Sequence, residues 1–166
     1  QLSYNTGISG RLFNAAHKFF GHLPGGLAIA TIGACAGFSA ICGSTSATAA
    51  TMAAVALPEM KKFRYDPALA TGVVAAGGSL GILIPPSTIF IIYGIMTEQS
   101  VGKLFMAGVL PGMLLALLFV LIIVTWTRLK PGLCEAAPKA SLQERISSLA
   151  GVIETFLLFI LVMGGL

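Results

Sequence analysis

A short polar stretch interrupts an otherwise apolar part of the chain. Residues 43–48 read Gly-Ser-Thr-Ser-Ala-Thr, and no Asp, Glu, Lys or Arg occurs between Phe19 and Pro58. Non-helical backbone at membrane depth is tolerated only where it is buried in protein or lines a polar cavity. Hydroxyl groups beside unpaired backbone carbonyls offer the oxygen ligands that hard cations prefer. The stretch therefore predicts a site for a small ion such as Na⁺ or for a solute.

A second set of helix breakers follows in the next uncharged run. Residues 77–81 read Gly-Gly-Ser-Leu-Gly, and residues 85–87 read Pro-Pro-Ser. A helix interrupted there presents unpaired carbonyls at the end of its first half and unpaired N–H groups at the start of its second half. Carbonyls favour a cation and N–H groups favour a carboxylate, a pairing that recurs in transporters built from discontinuous helices. If the two breaks pack together, unpaired carbonyls and unpaired N–H groups lie side by side at the same depth in the membrane.

These two breaks define the candidate site residues. The predicted Na⁺ ligands are Gly43, Ser44, Ser46, Gly81 and Leu83. The residues predicted to lie on the solute side are Thr45, Thr48, Pro85, Pro86 and Ser87. Each hydroxyl taken alone also fits a helix cap or a hydrogen bond to the preceding turn.

Other kinds of chemistry have little support in the sequence. No carboxylate lies between Asp66 and Glu98, so we do not expect a proton relay through this segment. No His, Cys and Glu residues have the spacing of a transition-metal site, and we expect no cofactor other than Na⁺ as coupling ion. Three cysteines in the chain do not suggest a disulfide framework.

Composition places the chain in the membrane. Of the 166 residues, 56% are hydrophobic and 10% are charged, and the mean hydropathy is +0.92. Soluble domains carry roughly 25% charged residues. The net charge of +4 comes from basic residues that stand between apolar runs, without the basic stripe and interleaved aromatics of a nucleic-acid site. We therefore predict an all-α integral membrane protein that binds membrane lipid and no nucleic acid.

The charges also suggest a topology. As helices, the apolar arms on either side of residues 43–48 are about 24 Å and about 14–20 Å long, shorter than the hydrocarbon core of about 30 Å. Basic residues precede the first arm and follow the second, and both groups favour the cytoplasmic face. This pattern predicts a re-entrant helical hairpin. A pair of full spans with a tight turn is the alternative.

The remaining chain divides into further elements. We predict a helix over Ala68–Gly77, an unwound link and a second helix over Pro85–Met96; one continuous helix kinked at the prolines is the alternative. The predicted segments are an interfacial arm helix (1–22), the hairpin (23–60), a broken transmembrane helix with external connector (61–103), a transmembrane helix (104–130), a cytoplasmic loop (131–145) and a truncated transmembrane helix (146–166). We interpret the chain as an internal piece of a longer protein.

Several motifs in order resemble one transporter family. They include Gly-Gly-Leu-Ala at 25–28, the run from Gly43 to Met52, Leu-Pro-Glu-Met at 57–60, Tyr-Asp-Pro at 65–67, Gly-Ile-Leu-Ile-Pro-Pro-Ser at 81–87 and Gly-Val-Leu-Pro-Gly at 108–112. Their order and spacing closely resemble the large membrane subunit of tripartite ATP-independent periplasmic (TRAP) transporters. The resemblance covers nearly the whole chain.

The resemblance implies an elevator-type importer that couples the uptake of an organic acid, such as a C4-dicarboxylate or sialic acid, to the entry of Na⁺. It implies a small membrane subunit, a periplasmic solute-binding protein and a multi-pass location in the bacterial or archaeal inner membrane. It also implies that this chain holds part of one inverted repeat of the ion-transporter fold. Alternatives are a di- or tricarboxylate carrier without a binding protein, an uncoupled structural or channel subunit, and an intramembrane hydrolase using Ser44. The hydrolase lacks a nearby base, so we do not expect an enzyme.

Overall fold

The computed structural model describes Phe13, residues 16–18 and residues 25–134. These residues form helices and connecting turns, with no strand among them. The helices from residue 25 onward are α1 (Gly26–Cys42), α2 (Thr45–Lys62), α3 (Pro67–Leu83), α4 (Thr88–Met96) and α5 (Val101–Leu129), followed by a 3₁₀ turn (Pro131–Leu133). Two stretches are long and apolar enough to cross a membrane, Pro67–Met96 and Val101–Leu129. The predicted all-α membrane class is thus supported.

Helices α1 and α2 form a hairpin whose tip consists of two residues, Gly43 and Ser44. Gly43 has φ +59°, and its N–H donates to the Ser39 carbonyl at 3.0 Å, so it ends α1 in the left-handed conformation that glycine adopts without strain. Helix α2 continues through Pro58 to Lys62 and is therefore about 27 Å long. It is longer than the arm predicted from the sequence. Whether the hairpin is re-entrant stays a prediction.

Helix α3 differs from the prediction at its C-terminal end. Its N-terminus is as expected, because the Asp66 side chain accepts hydrogen bonds from the N–H groups of Ala68 and Leu69 at 2.9 and 3.1 Å. The predicted unwinding after Gly77 is wrong, since α3 continues to Leu83. The glycines in this part of α3 serve close packing rather than unwinding.

The hairpin lies directly against these glycines. A Cβ atom added at Gly77 would lie 2.7 Å from the Cys35 Sγ of α1, and one at Gly78 would lie 2.7 Å from the Ala49 Cβ of α2. A Cβ at Gly81 would lie 3.0 Å from the Ser44 carbonyl carbon at the tip. Because real Cβ atoms essentially never lie under 3.0 Å from other atoms, side chains at Gly77 and Gly78 would displace their neighbours in the hairpin, and a side chain at Gly81 would make a tight contact with the tip.

The break between α3 and α4 is four residues long, Ile84–Ser87. Helix α4 begins at Thr88 and not at Pro85 as predicted. Helix α5 then packs back across the break: a Cβ at Gly108 would lie 2.8 Å from the Leu83 carbonyl oxygen. Helix α5 is continuous through Pro111.

Hydrogen bonds join α1, α3 and α5 at the end opposite the hairpin tip. The Asp66 N–H donates to the Leu133 carbonyl at 2.9 Å, and the Leu27 N–H donates to the Tyr65 hydroxyl at 3.2 Å. Burial raises the pKa of the Tyr65 phenol, so this hydroxyl stays protonated. Nearby, the His17 ring packs edge-on against Phe63 with centroids 5.9 Å apart. The rest of the predicted arm (1–22), the loop beyond residue 134 and the last predicted helix (146–166) lie outside the described residues.

Candidate ion and solute site

A cavity of about 230 Å³ lies where the hairpin tip meets the break between α3 and α4. Its lining comes from three places in the chain: the tip and first residue of α2, the last turn of α3, and the start of α4. The lining residues are Gly43, Ser44, Thr45, Gly81, Ile82, Ser87, Thr88 and Ile89. The two breaks recognised in the sequence are therefore brought together in space.

Half of the ten candidate residues line this cavity. They are Gly43, Ser44, Thr45, Gly81 and Ser87. Ser46 adjoins it, because its hydroxyl oxygen is 3.4 Å from that of Ser44. The others, Thr48, Leu83, Pro85 and Pro86, are not part of the lining.

The tip and the break are in direct contact. The Thr88 hydroxyl donates to the Gly43 carbonyl at 3.3 Å. Gly43 also faces the Pro86 carbonyl oxygen so closely that any Cβ at position 43 would overlap it. Pro86 thus contacts the hairpin tip, although it does not line the cavity.

Two helix N-termini border the cavity. Helix α2 starts at Thr45 and α4 starts at Thr88, and neither N-cap serine makes a side-chain capping hydrogen bond. The first N–H groups of a helix have no intrahelical acceptor, and the aligned peptide dipoles give the N-terminus a partial positive charge. The lining residues themselves carry no charged side chain. The helix ends therefore make this part of the cavity suitable for an anion such as a carboxylate.

Carbonyl oxygens come from the C-terminal end of α3. Pro85 and Pro86 have no N–H, so the carbonyls of Gly81 and Ile82 lack the donor that would normally stand four residues further on. The Leu83 carbonyl lies instead against Gly108 of α5. Gly81 and Ile82, the residues with these two carbonyls, both line the cavity.

Two of the predicted solute-side hydroxyls are buried without a partner. The side-chain oxygens of Thr48 and Ser87, together with that of Ser39 in α1, make no hydrogen bond within the described part of the protein. A buried polar group left unpaired costs about 1–3 kcal/mol. Ser87 is part of the cavity wall, while its hydroxyl oxygen is itself buried.

Thr88 is the main residue that sequence reasoning missed. The prediction started α4 at Pro85 and so placed position 88 inside the helix, whereas Thr88 is its first residue. The sequence offered one signal, because serine is preferred at the N-cap position and Ser87 directly precedes Thr88. Ile82 and Ile89, the apolar part of the lining, had no comparable signal.

Comparison with known proteins identifies the family. Residues 2–166 match the family model described as "Tripartite ATP-independent periplasmic transporter, DctM component". The chain belongs to this family. It is therefore a TRAP large permease chain, as the motifs predicted, and its family consists of transporter permeases rather than enzymes.

Curated relatives are TRAP permeases of several kinds. The chain is 41% identical over 160 residues to a C4-dicarboxylate TRAP transporter large permease protein of Pseudomonas aeruginosa, with 96% of this chain and 37% of the relative covered. It is 46% identical over 111 residues to an isethionate TRAP transporter permease protein of Oleidesulfovibrio alaskensis, covering 67% and 18%. It is 33% identical over 165 residues to a sialic acid TRAP transporter large permease protein of Vibrio cholerae, covering 99% and 38%. The chain thus spans less than two fifths of these relatives.

Proposed function

We propose that this large permease chain forms half of the transport site of a Na⁺-coupled importer of organic acids. The observation that carries the proposal is the cavity at which two helix starts and the carbonyl end of α3 meet. Gly81 and Ile82 carbonyls with the Ser44 and Ser46 hydroxyls are the proposed Na⁺ ligands. The starts of α2 and α4, with Thr45 and Ser87, are the proposed contacts of the solute carboxylate.

In such a site, bound Na⁺ and bound solute each strengthen the binding of the other. None of the residues lining the cavity is charged, so a bound Na⁺ would supply the nearest full positive charge to a carboxylate. Coulombic attraction between the two is strong where protein excludes water. Each ligand therefore raises the affinity for the other, and this mutual effect is the basis of coupling.

An elevator motion fits the packing of the hairpin. Contacts at Gly77, Gly78 and Gly81 leave no space between the hairpin and α3. Closely packed interiors transmit displacement rather than absorb it. The hairpin and the broken helix are thus suited to move as one body, with a second repeat in the remaining part of the transporter completing the solute site.

The proposal extends to partners and location. The family's tripartite composition supports a small membrane subunit and a periplasmic solute-binding protein as partners. The two membrane-length stretches support a multi-pass position in the inner membrane of a bacterial or archaeal cell. Relatives named for C4-dicarboxylate and for sialic acid support a carboxylate as solute.

Reconstitution of the complete transporter tests the proposal. Proteoliposomes with both membrane subunits would be given radiolabelled C4-dicarboxylate or sialic acid, with Na⁺ and the binding protein omitted in turn. We expect uptake of at least one acid only when both are present. Uptake that needs Na⁺ without a binding protein would indicate a carrier of the independent type. Solute flux that does not depend on the Na⁺ gradient would indicate a channel and contradict the proposal.

A further inference from the structure

An apolar groove of about 400 Å³ lies between α3 and α5, at the end of the helices opposite the hairpin tip. Helix α3 contributes one wall through Leu69, Gly72 and Ala76, and α5 contributes the other through Phe119, Ile122 and Trp126. The proposed ion site does not use any of these residues. The groove is therefore a separate feature of the molecule.

The dimensions of the groove fit a single hydrocarbon chain. From its N-cap Asp66, the groove follows the first ten residues of α3 to Ala76, which is about 15 Å. A groove of this length with a volume of about 400 Å³ accommodates an extended hydrocarbon chain.

In the described part of the chain, Asp66 is the one charged residue that lines the groove, and the basic residue Lys130 adjoins the groove at the same end. Trp126 is 51% exposed there, at the position where amphipathic rings lie at the level of lipid headgroups. The Leu133 N–H donates to the Lys130 carbonyl at 3.2 Å, and Leu133 lines the groove, so Lys130 lies in the turn at its mouth. The Asp66 carboxylate, also at the groove, already accepts two backbone N–H groups of α3.

Positive charge also predominates among the described residues at this end of the helices. The hydrogen bond from Asp66 to Leu133 places the end of α2, the start of α3 and the end of α5 together. The basic residues in these segments are Lys61, Lys62, Arg64, Arg128 and Lys130, and the acidic ones are Glu59 and Asp66. Basic clusters beside membrane helices attract anionic lipid headgroups.

We propose that the groove binds one acyl chain of an anionic phospholipid, with its phosphate held near Lys130 and Arg128. Apolar walls accept the chain, and the basic end selects the headgroup. The inference is independent of the proposed ion site. Anionic lipid would then stabilise the contact between α3 and α5, the helix that packs against the Leu83 carbonyl at the break.

Gly72 offers a direct test. A Cβ at Gly72 would meet nothing within 4 Å, so Gly72→Leu would place a large side chain in the groove without a clash at the Cβ position. Gly33 in α1 is the matched control, because it is also an exposed helical glycine with nothing within 4 Å and does not line the groove. Both variants would be made in the complete transporter and checked for membrane insertion.

The measurement is crosslinking by phosphatidylglycerol with a photoactivatable acyl chain, mapped by mass spectrometry. We expect label on groove residues of α3 and α5 in the wild type and in Gly33→Leu, with at least a fivefold loss in Gly72→Leu. Unlabelled phosphatidylglycerol should compete and phosphatidylcholine should not, and a Lys130→Gln/Arg128→Gln variant should lose this preference. Absence of groove labelling in the wild type, or equal labelling in Gly72→Leu and Gly33→Leu, would overturn the proposal. Crosslinking of a photoreactive residue at position 72 to protein instead of lipid would also overturn it.

Discussion

The α carbon of Gly43 faces the carbonyl oxygen of Pro86 at a distance that leaves no room for a side chain. Gly43 ends α1 at the hairpin tip, and Pro86 lies in the break between α3 and α4. The contact therefore joins the two interrupted helices at the cavity.

Substitution of Gly43 should separate these two elements. Gly43→Ala adds a Cβ that overlaps Pro86 and holds a non-glycine residue at φ +59°, which costs about 1–2 kcal/mol by itself. We expect at least tenfold lower uptake in the complete transporter with normal membrane insertion. Gly33→Ala, at an open helical position, should transport like the wild type. Wild-type uptake by Gly43→Ala would show that the close contact is not needed.

The Thr88 hydroxyl should hold the hairpin tip in place, next to the proposed Na⁺ ligand Ser44. Thr88→Val removes the hydrogen bond to Gly43 while keeping the shape of the side chain. A loss of about 0.5–1.5 kcal/mol corresponds to a 2- to 12-fold weaker apparent Na⁺ affinity. Thr88→Ser should restore it, and Thr125→Val should have no effect, because the Thr125 hydroxyl bonds the Leu121 carbonyl within α5. Equal Na⁺ midpoints in Thr88→Val and Thr88→Ser would rule out this role.

Replacing both prolines of the break should close the carbonyl site. Pro85→Ala with Pro86→Ala supplies N–H donors to the Gly81 and Ile82 carbonyls, and an interior proline costs about 3 kcal/mol relative to alanine, so α3 should extend. We expect uptake to fall to background while membrane insertion remains normal. Pro111→Ala, inside the continuous helix α5, is the control and should transport. Normal uptake in the double variant would mean that the free carbonyls are not ligands.

The sequence predicted the location of both breaks but not their extent. Gly43 and the paired prolines act on their own stretch of backbone, since glycine ends a helix and proline removes an N–H donor. Their effect could therefore be predicted without knowing which helices are neighbours. Gly77, Gly78 and Gly81 could not, because a glycine that ends a helix and one that admits a neighbouring helix look alike in sequence. The start of α4 was placed too early because proline is favoured in the first turn of a helix, whereas Pro85 and Pro86 lie in the break before Thr88.

Accessibility labelling should decide whether the hairpin is re-entrant. Single cysteines at Lys18, Lys62 and Gln99, in a background without native cysteines, would be treated with an impermeant maleimide in intact cells. Basic residues flank the hairpin on both sides, so only position 99 should react from outside. Lys62 and Gln99 are both exposed in the structure, so reactivity reports their side of the membrane. External labelling at position 62 would show that α1 and α2 are not a re-entrant pair.

The central claim is that Na⁺ binds at the hairpin tip, where the Ser44 and Ser46 hydroxyl oxygens are 3.4 Å apart. The most direct measurement is a Na⁺ titration of solute uptake in proteoliposomes with the complete transporter and loaded binding protein. Loss of one ligand hydroxyl costs about 1–3 kcal/mol, so Ser44→Ala and Ser46→Ala should shift the Na⁺ midpoint upward by roughly 5- to 150-fold. Ser79→Ala is the control, because its hydroxyl bonds the Ala76 carbonyl within α3 at 2.6 Å, and its midpoint should not move. Wild-type Na⁺ midpoints in both Ser44→Ala and Ser46→Ala would contradict the account.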